Sequence, residues 1–70
     1  MSTPFAVSLN GEERAVASGT TLEALVATLS SAHSGVAAAV NETVVPRAQW
    51  STTALSAGDR VEVLTAVQGG

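Results

Sequence analysis

The fold is decided near the N-terminus by the stretch Phe5-Ala6-Val7-Ser8-Leu9-Asn10-Gly11. Large side chains alternate with small or polar ones as far as Leu9, which is the period of a half-buried strand. Asn10-Gly11 is the strongest short-range signal for a β-hairpin, so a return strand is predicted from residue 12 to about residue 17. A two-residue turn would place two charged side chains on the apolar face, and a bulged turn would change the pairing. The pattern therefore predicts the hairpin and leaves its register open.

A short amphipathic helix is predicted after the hairpin. Its apolar residues fall at i, i+3, i+4 and i+7 and form a single stripe, made of Leu22, Leu25, Val26 and Leu29. Thr20 with Glu23 three residues later is typical of a capping box, although Thr21 could be the cap instead. The helix is expected to end near Ser30 or Ser31. A helix of about ten residues is marginal alone, so the stripe must pack on a sheet.

Three further strands are predicted, at residues 36–40, 43–45 and 60–67, with a helical turn at 47–50 and an irregular link at 51–55. One helix for a sheet of this size indicates an α+β roll with a small core on one face. In the last strand, one face carries Val61, Val63, Thr65 and Val67. The other face carries Leu64 and Ala66, and little of the chain remains to cover them. We therefore expect both residues to be exposed.

Composition excludes several kinds of protein. The chain has 70 residues and 46% apolar content, but 13 of the apolar residues are alanine, so the core must depend on a few large side chains. Cysteine is absent, which excludes disulfides and a thiolate nucleophile. The net charge is −3 and the cations are Arg14, Arg47 and Arg60, which argues against nucleic-acid binding. No membrane segment or signal peptide is predicted, and the expected location is the cytoplasm.

The end of the sequence, Gln68-Gly69-Gly70, directly follows the last predicted strand. Without Cβ atoms, Gly69 and Gly70 could fit a channel too narrow for a side chain. An extended tail would hold its carboxylate about 10 Å beyond the sheet, at roughly 3.3 Å per residue. This arrangement suits chemistry carried out by another protein on the carboxylate. A frayed chain end would look the same.

Several stretches, each weak alone, occur together in a distinctive order and spacing that covers nearly the whole chain. They are Leu9-Asn10-Gly11-Glu12, Gly19-Thr20-Thr21-Leu22-Glu23-Ala24-Leu25, Val40-Asn41, Val45-Pro46-Arg47 with Trp50, Gly58-Asp59 and Gly69-Gly70. In this arrangement the chain resembles the ThiS family of sulfur carrier proteins in thiamine biosynthesis. The Ser- and Thr-rich link at 51–57 and the extra residues Ser2-Thr3-Pro4 depart from the family pattern.

The resemblance implies a ubiquitin-like β-grasp fold, formed as one domain over residues 1–70. Its mixed sheet would have about five strands, with one main helix packed on one face. The first and last strands would be central and parallel, and residues 68–70 would form a flexible tail.

The resemblance also implies a chemistry. In the family, a ThiF-like enzyme uses ATP to convert the C-terminal carboxylate to an acyl-adenylate, and sulfur from a donor protein then displaces AMP. Thiazole synthase, ThiG, takes the sulfur from the resulting thiocarboxylate. Here the reacting group would be the carboxylate of Gly70, carried on Gly69.

The chain itself is expected to be a cosubstrate and not an enzyme. It has no Gly-rich, Lys-containing phosphate loop, so ATP should be bound by the activating partner. No cofactor or metal is expected on this chain. Leu64 and Ala66, together with Gln68, are expected to contact the partner enzymes; the alternative is that Leu64 and Ala66 are ordinary exposed apolar residues of a protein surface.

Other functions remain open at this stage. The tail chemistry is shared by sulfur carriers of molybdopterin or cysteine synthesis and by ubiquitin-like protein modifiers. A plain protein-binding module with incidental glycines is a further alternative. Arg47 and Arg60 are expected to be solvated, Trp50 to form a partial lid on the core, and His33 to have no catalytic role.

Overall fold

The computed structural model describes residues 3–29 and 35–65 of the chain. Within these ranges the order of elements agrees with the prediction. The elements are β1 (Phe5–Leu9), β2 (Glu12–Val16), α1 (Leu22–Ala27), β3 (Val36–Val40), β4 (Thr43–Val45), a 3-10 helix (Arg47–Thr52) and β5 (Arg60–Thr65). The predicted extension of the last strand to residue 67 lies outside the described residues. Among the residues described, no helix is long and apolar enough to cross a membrane.

The β1–β2 hairpin has a two-residue turn, with Leu9 opposite Glu12. Asn10 and Gly11 have φ angles of 50° and 85°, and a tight hairpin turn of this kind requires positive φ at both positions. Glu12 and Arg14 consequently lie on the same side of the sheet as the core residues. β2 is an edge strand, and both side chains are exposed there. The hairpin therefore buries no charge at these two positions.

The strands form one mixed sheet in the order β2-β1-β5-β3-β4. β1 runs parallel to β5, and β3 runs antiparallel to both β5 and β4. The last strand thus lies in the middle of the sheet, beside the first. This arrangement confirms the predicted fold class, an α+β, ubiquitin-like β-grasp with a five-stranded sheet and one main helix.

The N-terminus of α1 differs from the predicted capping box. Thr21 is the cap: its backbone is extended, and its hydroxyl oxygen accepts a hydrogen bond from the Ala24 N–H at 3.2 Å. The hydroxyl of Thr20 instead donates to the Ala17 carbonyl at 2.6 Å. The prediction of a box between Thr20 and Glu23 was therefore wrong, and the alternative cap is the one formed.

The helix is also shorter than predicted. α1 ends at Ala27, because Thr28 closes the last turn: its N–H and hydroxyl both donate to the Leu25 carbonyl, at 3.1 and 2.6 Å. The Leu29 N–H donates to the Val26 carbonyl at 2.9 Å, a tighter i to i−3 pattern. Leu29 is consequently rotated out of the apolar stripe and is 38% exposed.

The core lies between α1 and one face of the sheet. It consists of buried apolar side chains from every described part of the fold except β2 and β4: Val7, Leu9, Leu22, Leu25, Val26, Ala38, Trp50, Leu55, Val61 and Val63. Trp50 is only 4% exposed, so the expected partial lid is in fact a full member of the core. Its indole N–H donates to the Val45 carbonyl at 2.8 Å, which satisfies the polar atom of this buried ring.

Candidate functional site

β5 positions the candidate site because it leads directly into the C-terminal residues. Its side chains alternate between the two faces of the sheet: Val61 and Val63 are buried under α1, whereas Leu64 is 71% exposed on the opposite, open face. The expected exposure of Leu64 is therefore observed. The other predicted site residues, Ala66, Gln68, Gly69 and Gly70, lie outside the described residues, and their roles stay predictions.

Leu64 belongs to an apolar patch on the open face, which we call the β5 patch. The patch consists of Ala37, Ala39, Val44 and Leu64. β3 lies between β5 and β4, with Ala37 opposite Leu64 and Ala39 opposite Val44. The short alanine side chains make the floor of a shallow depression of about 160 Å³, flanked by the two larger side chains. Val44, like Leu64, is 71% exposed.

Charged residues border the β5 patch. Arg60, at the start of β5, makes an ion pair with Glu42 at 3.3 Å, and both side chains are largely exposed. Glu62 lies on the open face between Arg60 and Leu64, and it also lines the depression. An apolar centre with a charged border is typical of surfaces that bind other proteins.

Two asparagine side chains hold β5 in register, one at each end. Asn41 follows β3; its Oδ1 accepts from the Arg60 N–H at 3.0 Å, and its Nδ2 donates to the Asp59 carboxylate at 3.1 Å. Asn10 follows β1 and makes two hydrogen bonds to the backbone of Val63. β5 is thus fixed where it enters the sheet and again shortly before it leads into the C-terminal residues.

The other polar residues considered in the sequence analysis are Arg47, Arg60 and His33. The Arg47 guanidinium lies 5.4 Å from the centre of the Trp50 ring, a cation–π contact that covers the indole. Both arginines are exposed, as expected, and each also has one partner within the chain. His33 lies outside the described residues. In the described ranges, no three His, Cys, Asp or Glu side chains are grouped to hold a metal ion.

Sequence reasoning missed most of the β5 patch. It found Leu64 by alternation along β5, but it did not include Ala37, Ala39 or Val44. Alternation along β3 and β4 could have placed these three residues on the open face. Their meeting with Leu64 depends on the order of strands, which alternation does not supply.

The sequence profile of the ThiS family matches residues 7–70, nearly the whole chain. The chain belongs to the ThiS family. The match runs through β5 and includes Gln68-Gly69-Gly70 at the end of the sequence.

Two individual proteins support the assignment to the ThiS family. The sulfur carrier protein ThiS of Escherichia coli (strain K12) is 30% identical over 64 residues, which cover 91% of this chain and 97% of that protein. The crystal structure of the thiamine biosynthesis protein ThiS from Geobacter metallireducens superposes with a TM-score of 0.76 at 28% identity. That superposition covers 94% of this chain and all of the other. ThiS-family membership therefore rests on sequence and fold together.

Proposed function

We propose that this ThiS-family protein is the sulfur carrier for synthesis of the thiazole ring of thiamine. The proposal rests mainly on the family match over residues 7–70, which includes the terminal Gly69-Gly70. The E. coli relative, 30% identical over 64 residues, is named as a sulfur carrier protein. The exposed β5 patch supports the proposal, because a carrier must dock on the enzymes that load and unload it.

The reacting group in this proposal is the carboxylate of Gly70. A free carboxylate is a poor electrophile, so it must first be activated. One carboxylate oxygen attacks the α-phosphorus of ATP, pyrophosphate leaves, and an acyl-adenylate forms. A sulfur nucleophile at the oxidation level of sulfide then adds to the carbonyl carbon, and the bond to AMP breaks. The net change on the carrier is one oxygen replaced by one sulfur.

The enzymatic work is assigned to partner proteins. The sequence contains no lysine, so it has no phosphate loop of the kind that holds ATP. ATP would therefore bind to a ThiF-like activating enzyme, and a donor protein would supply the sulfur. Thiazole synthase, ThiG, would accept the sulfur from the thiocarboxylate. The carrier contributes the carboxylate, its presentation and the docking surface.

Intact mass spectrometry tests the loading step. The full-length chain is incubated with ATP, the ThiF-like enzyme and a sulfide source. The expected product is heavier by one exchange of oxygen for sulfur. The matched control is the chain that ends at Gln68, which keeps the whole described fold and lacks the two glycines. We expect no mass gain for this control. Failure of the full-length chain to gain the mass, or equal loading of the shortened chain, contradicts the proposal.

The related pathways use the same loading chemistry, so the receiving enzyme must distinguish them. The loaded carrier is offered separately to thiazole synthase and to the large subunit of molybdopterin synthase. Consumption of the thiocarboxylate by thiazole synthase alone is the expected result. Consumption by the other enzyme would assign the chain to the other pathway.

A further inference from the structure

Asn10 does more than form the turn after β1. Its backbone N–H donates to the Val61 carbonyl at 2.9 Å and so continues the parallel pairing of β1 with β5. Its side chain then extends that pairing by a further step. Oδ1 accepts from the Val63 N–H at 2.8 Å, and Nδ2 donates to the Val63 carbonyl at 3.2 Å. One amide side chain thus satisfies both backbone groups of Val63, as a further residue of β1 would otherwise do.

The Asn10 side chain takes the place of a further strand residue because the paired part of β1 ends before β5 does. The paired residues of β1 end at Leu9, opposite Val61, whereas β5 continues to Thr65. The chain turns away at Gly11, so β1 cannot follow. On its other edge β5 stays paired with β3 as far as Thr65, which lies opposite Val36. Asn10 therefore keeps β5 hydrogen-bonded along its β1 edge as far as Val63, while β3 pairs with the other edge.

We infer that Asn10 is a positioning residue for the C-terminal group that carries sulfur; this inference rests on the proposed function. On the β1 side, Asn10 holds β5 at Val63, two residues before the described part of the strand ends. The direction in which β5 leads towards the C-terminus therefore depends on these bonds. Without the Asn10 amide, this end of β5 would be held along one edge only. The carboxylate would then reach the activating enzyme less often in the reactive geometry. Asn10 also lines the depression of the β5 patch, but its substitution leaves the large exposed side chains of Leu64 and Val44 in place. Docking through these two side chains would be retained.

Asn41 offers a matched control at the opposite end of β5. Asn41 also has a positive φ, 52° against 50° for Asn10, and its side chain also makes two hydrogen bonds beside β5. Those bonds fix Asp59 and Arg60, where β5 begins. Glycine tolerates positive φ without strain, so Asn10→Gly and Asn41→Gly each remove the amide and preserve the turn. The two variants lose similar bonds at different distances from the tail.

The experiment measures ATP–pyrophosphate exchange by the ThiF-like enzyme over a range of carrier concentrations, with the full-length chain and both variants. For Asn10→Gly we expect kcat to fall about tenfold or more, because misplacing a reacting group by about 1 Å costs up to roughly a hundredfold. KM should stay close to that of the unsubstituted chain. Asn41→Gly should lower kcat much less than Asn10→Gly does. Amide exchange by NMR should show faster exchange of the Val63 N–H in Asn10→Gly only.

The outcomes separate this inference from the proposed function. Equal kcat for the two glycine variants, or an effect of Asn10→Gly on KM alone, overturns the positioning role. Absence of exchange with the unsubstituted chain contradicts the proposed function and removes the inference with it. If Asn10→Gly does not fold, Asn10→Asp takes its place, because it keeps an acceptor for the Val63 N–H and loses the donor. An undiminished kcat for Asn10→Asp then overturns the inference.

Discussion

At the scale of single residues, side-chain size shapes the open face of the sheet. The alanines of β3 leave a low floor, and Leu64 and Val44 project beside it with 71% of each residue exposed. Such residues contribute little to the stability of the isolated fold. Their apolar surface becomes favourable when a partner covers it.

Leu64→Asp is expected to weaken binding to the activating enzyme by about tenfold or more, since burying a leucine side chain contributes about 1.5–3 kcal/mol. The free energy of unfolding should change by no more than about 0.5 kcal/mol, because Leu64 is exposed. Calorimetric titration and urea unfolding measure the two effects. Ala15→Asp is the matched control: it places the same charge on the open face of β2, outside the β5 patch. Unchanged affinity for Leu64→Asp would remove Leu64 from the docking surface.

Gly70→Ala is expected to slow adenylation by about tenfold or more, because a methyl group beside the carboxylate would misplace it in a narrow channel. The unfolding curve should not move. Pyrophosphate exchange with the activating enzyme gives the rate. Exchange at the full rate would show that the terminal position accepts a side chain, and the paired glycines would then not be explained by a narrow channel.

The residues of the site differ in how far the sequence could predict them. Exposure of Leu64 follows from alternation along a single strand, so the sequence was sufficient. The role of Asn10 in holding Val63 was hidden, because Asn-Gly is explained completely by the turn it forms. A side chain that bonds 53 positions away gives no local signal.

At the scale of elements, α1 is short and depends on its neighbours. Its first N–H, from Leu22, donates to the Thr53 carbonyl at 2.8 Å, and the Leu55 N–H donates to the Thr20 carbonyl at 3.1 Å. The segment after the 3-10 helix therefore ties the start of α1 to the body of the protein. A helix of six residues would not persist in water without such contacts.

Thr21→Ala should destabilise the protein by about 1 kcal/mol, the usual cost of removing an N-cap side chain. Thr20→Ala is the matched control, because its hydroxyl bonds to Ala17 and not to the helix. We expect the smaller loss for Thr20→Ala in urea unfolding followed by circular dichroism. A larger loss for Thr20→Ala would contradict the assignment of Thr21 as the cap that stabilises the helix.

The helix shows where local patterns stop being sufficient. Two adjacent threonines are equivalent as caps in the sequence, and the contact of Thr21 with Ala54 on a distant segment distinguishes them. The apolar stripe likewise predicted a helix through Leu29, but Thr28 closes the last turn early. The strands were predicted better, because alternation on a half-buried sheet leaves a stronger pattern.

At the scale of the whole molecule, the sheet order places the last strand beside the first and in the middle of the sheet. The α+β roll could be predicted from the residues alone. The parallel pairing of β1 and β5 could not, and it came from the family resemblance, because strand order depends on contacts between distant segments. In this arrangement the element that leads to the C-terminus is supported on both edges.

The most direct measurement of the central claim is a single-turnover transfer of isotopically heavy sulfur. The carrier is loaded with the heavy isotope, separated from the sulfur source and mixed with thiazole synthase and its other substrates. The account predicts that the label appears in the thiazole product while the carrier returns to its carboxylate mass. Label that stays on the carrier, or product that forms equally well without the carrier, would contradict it.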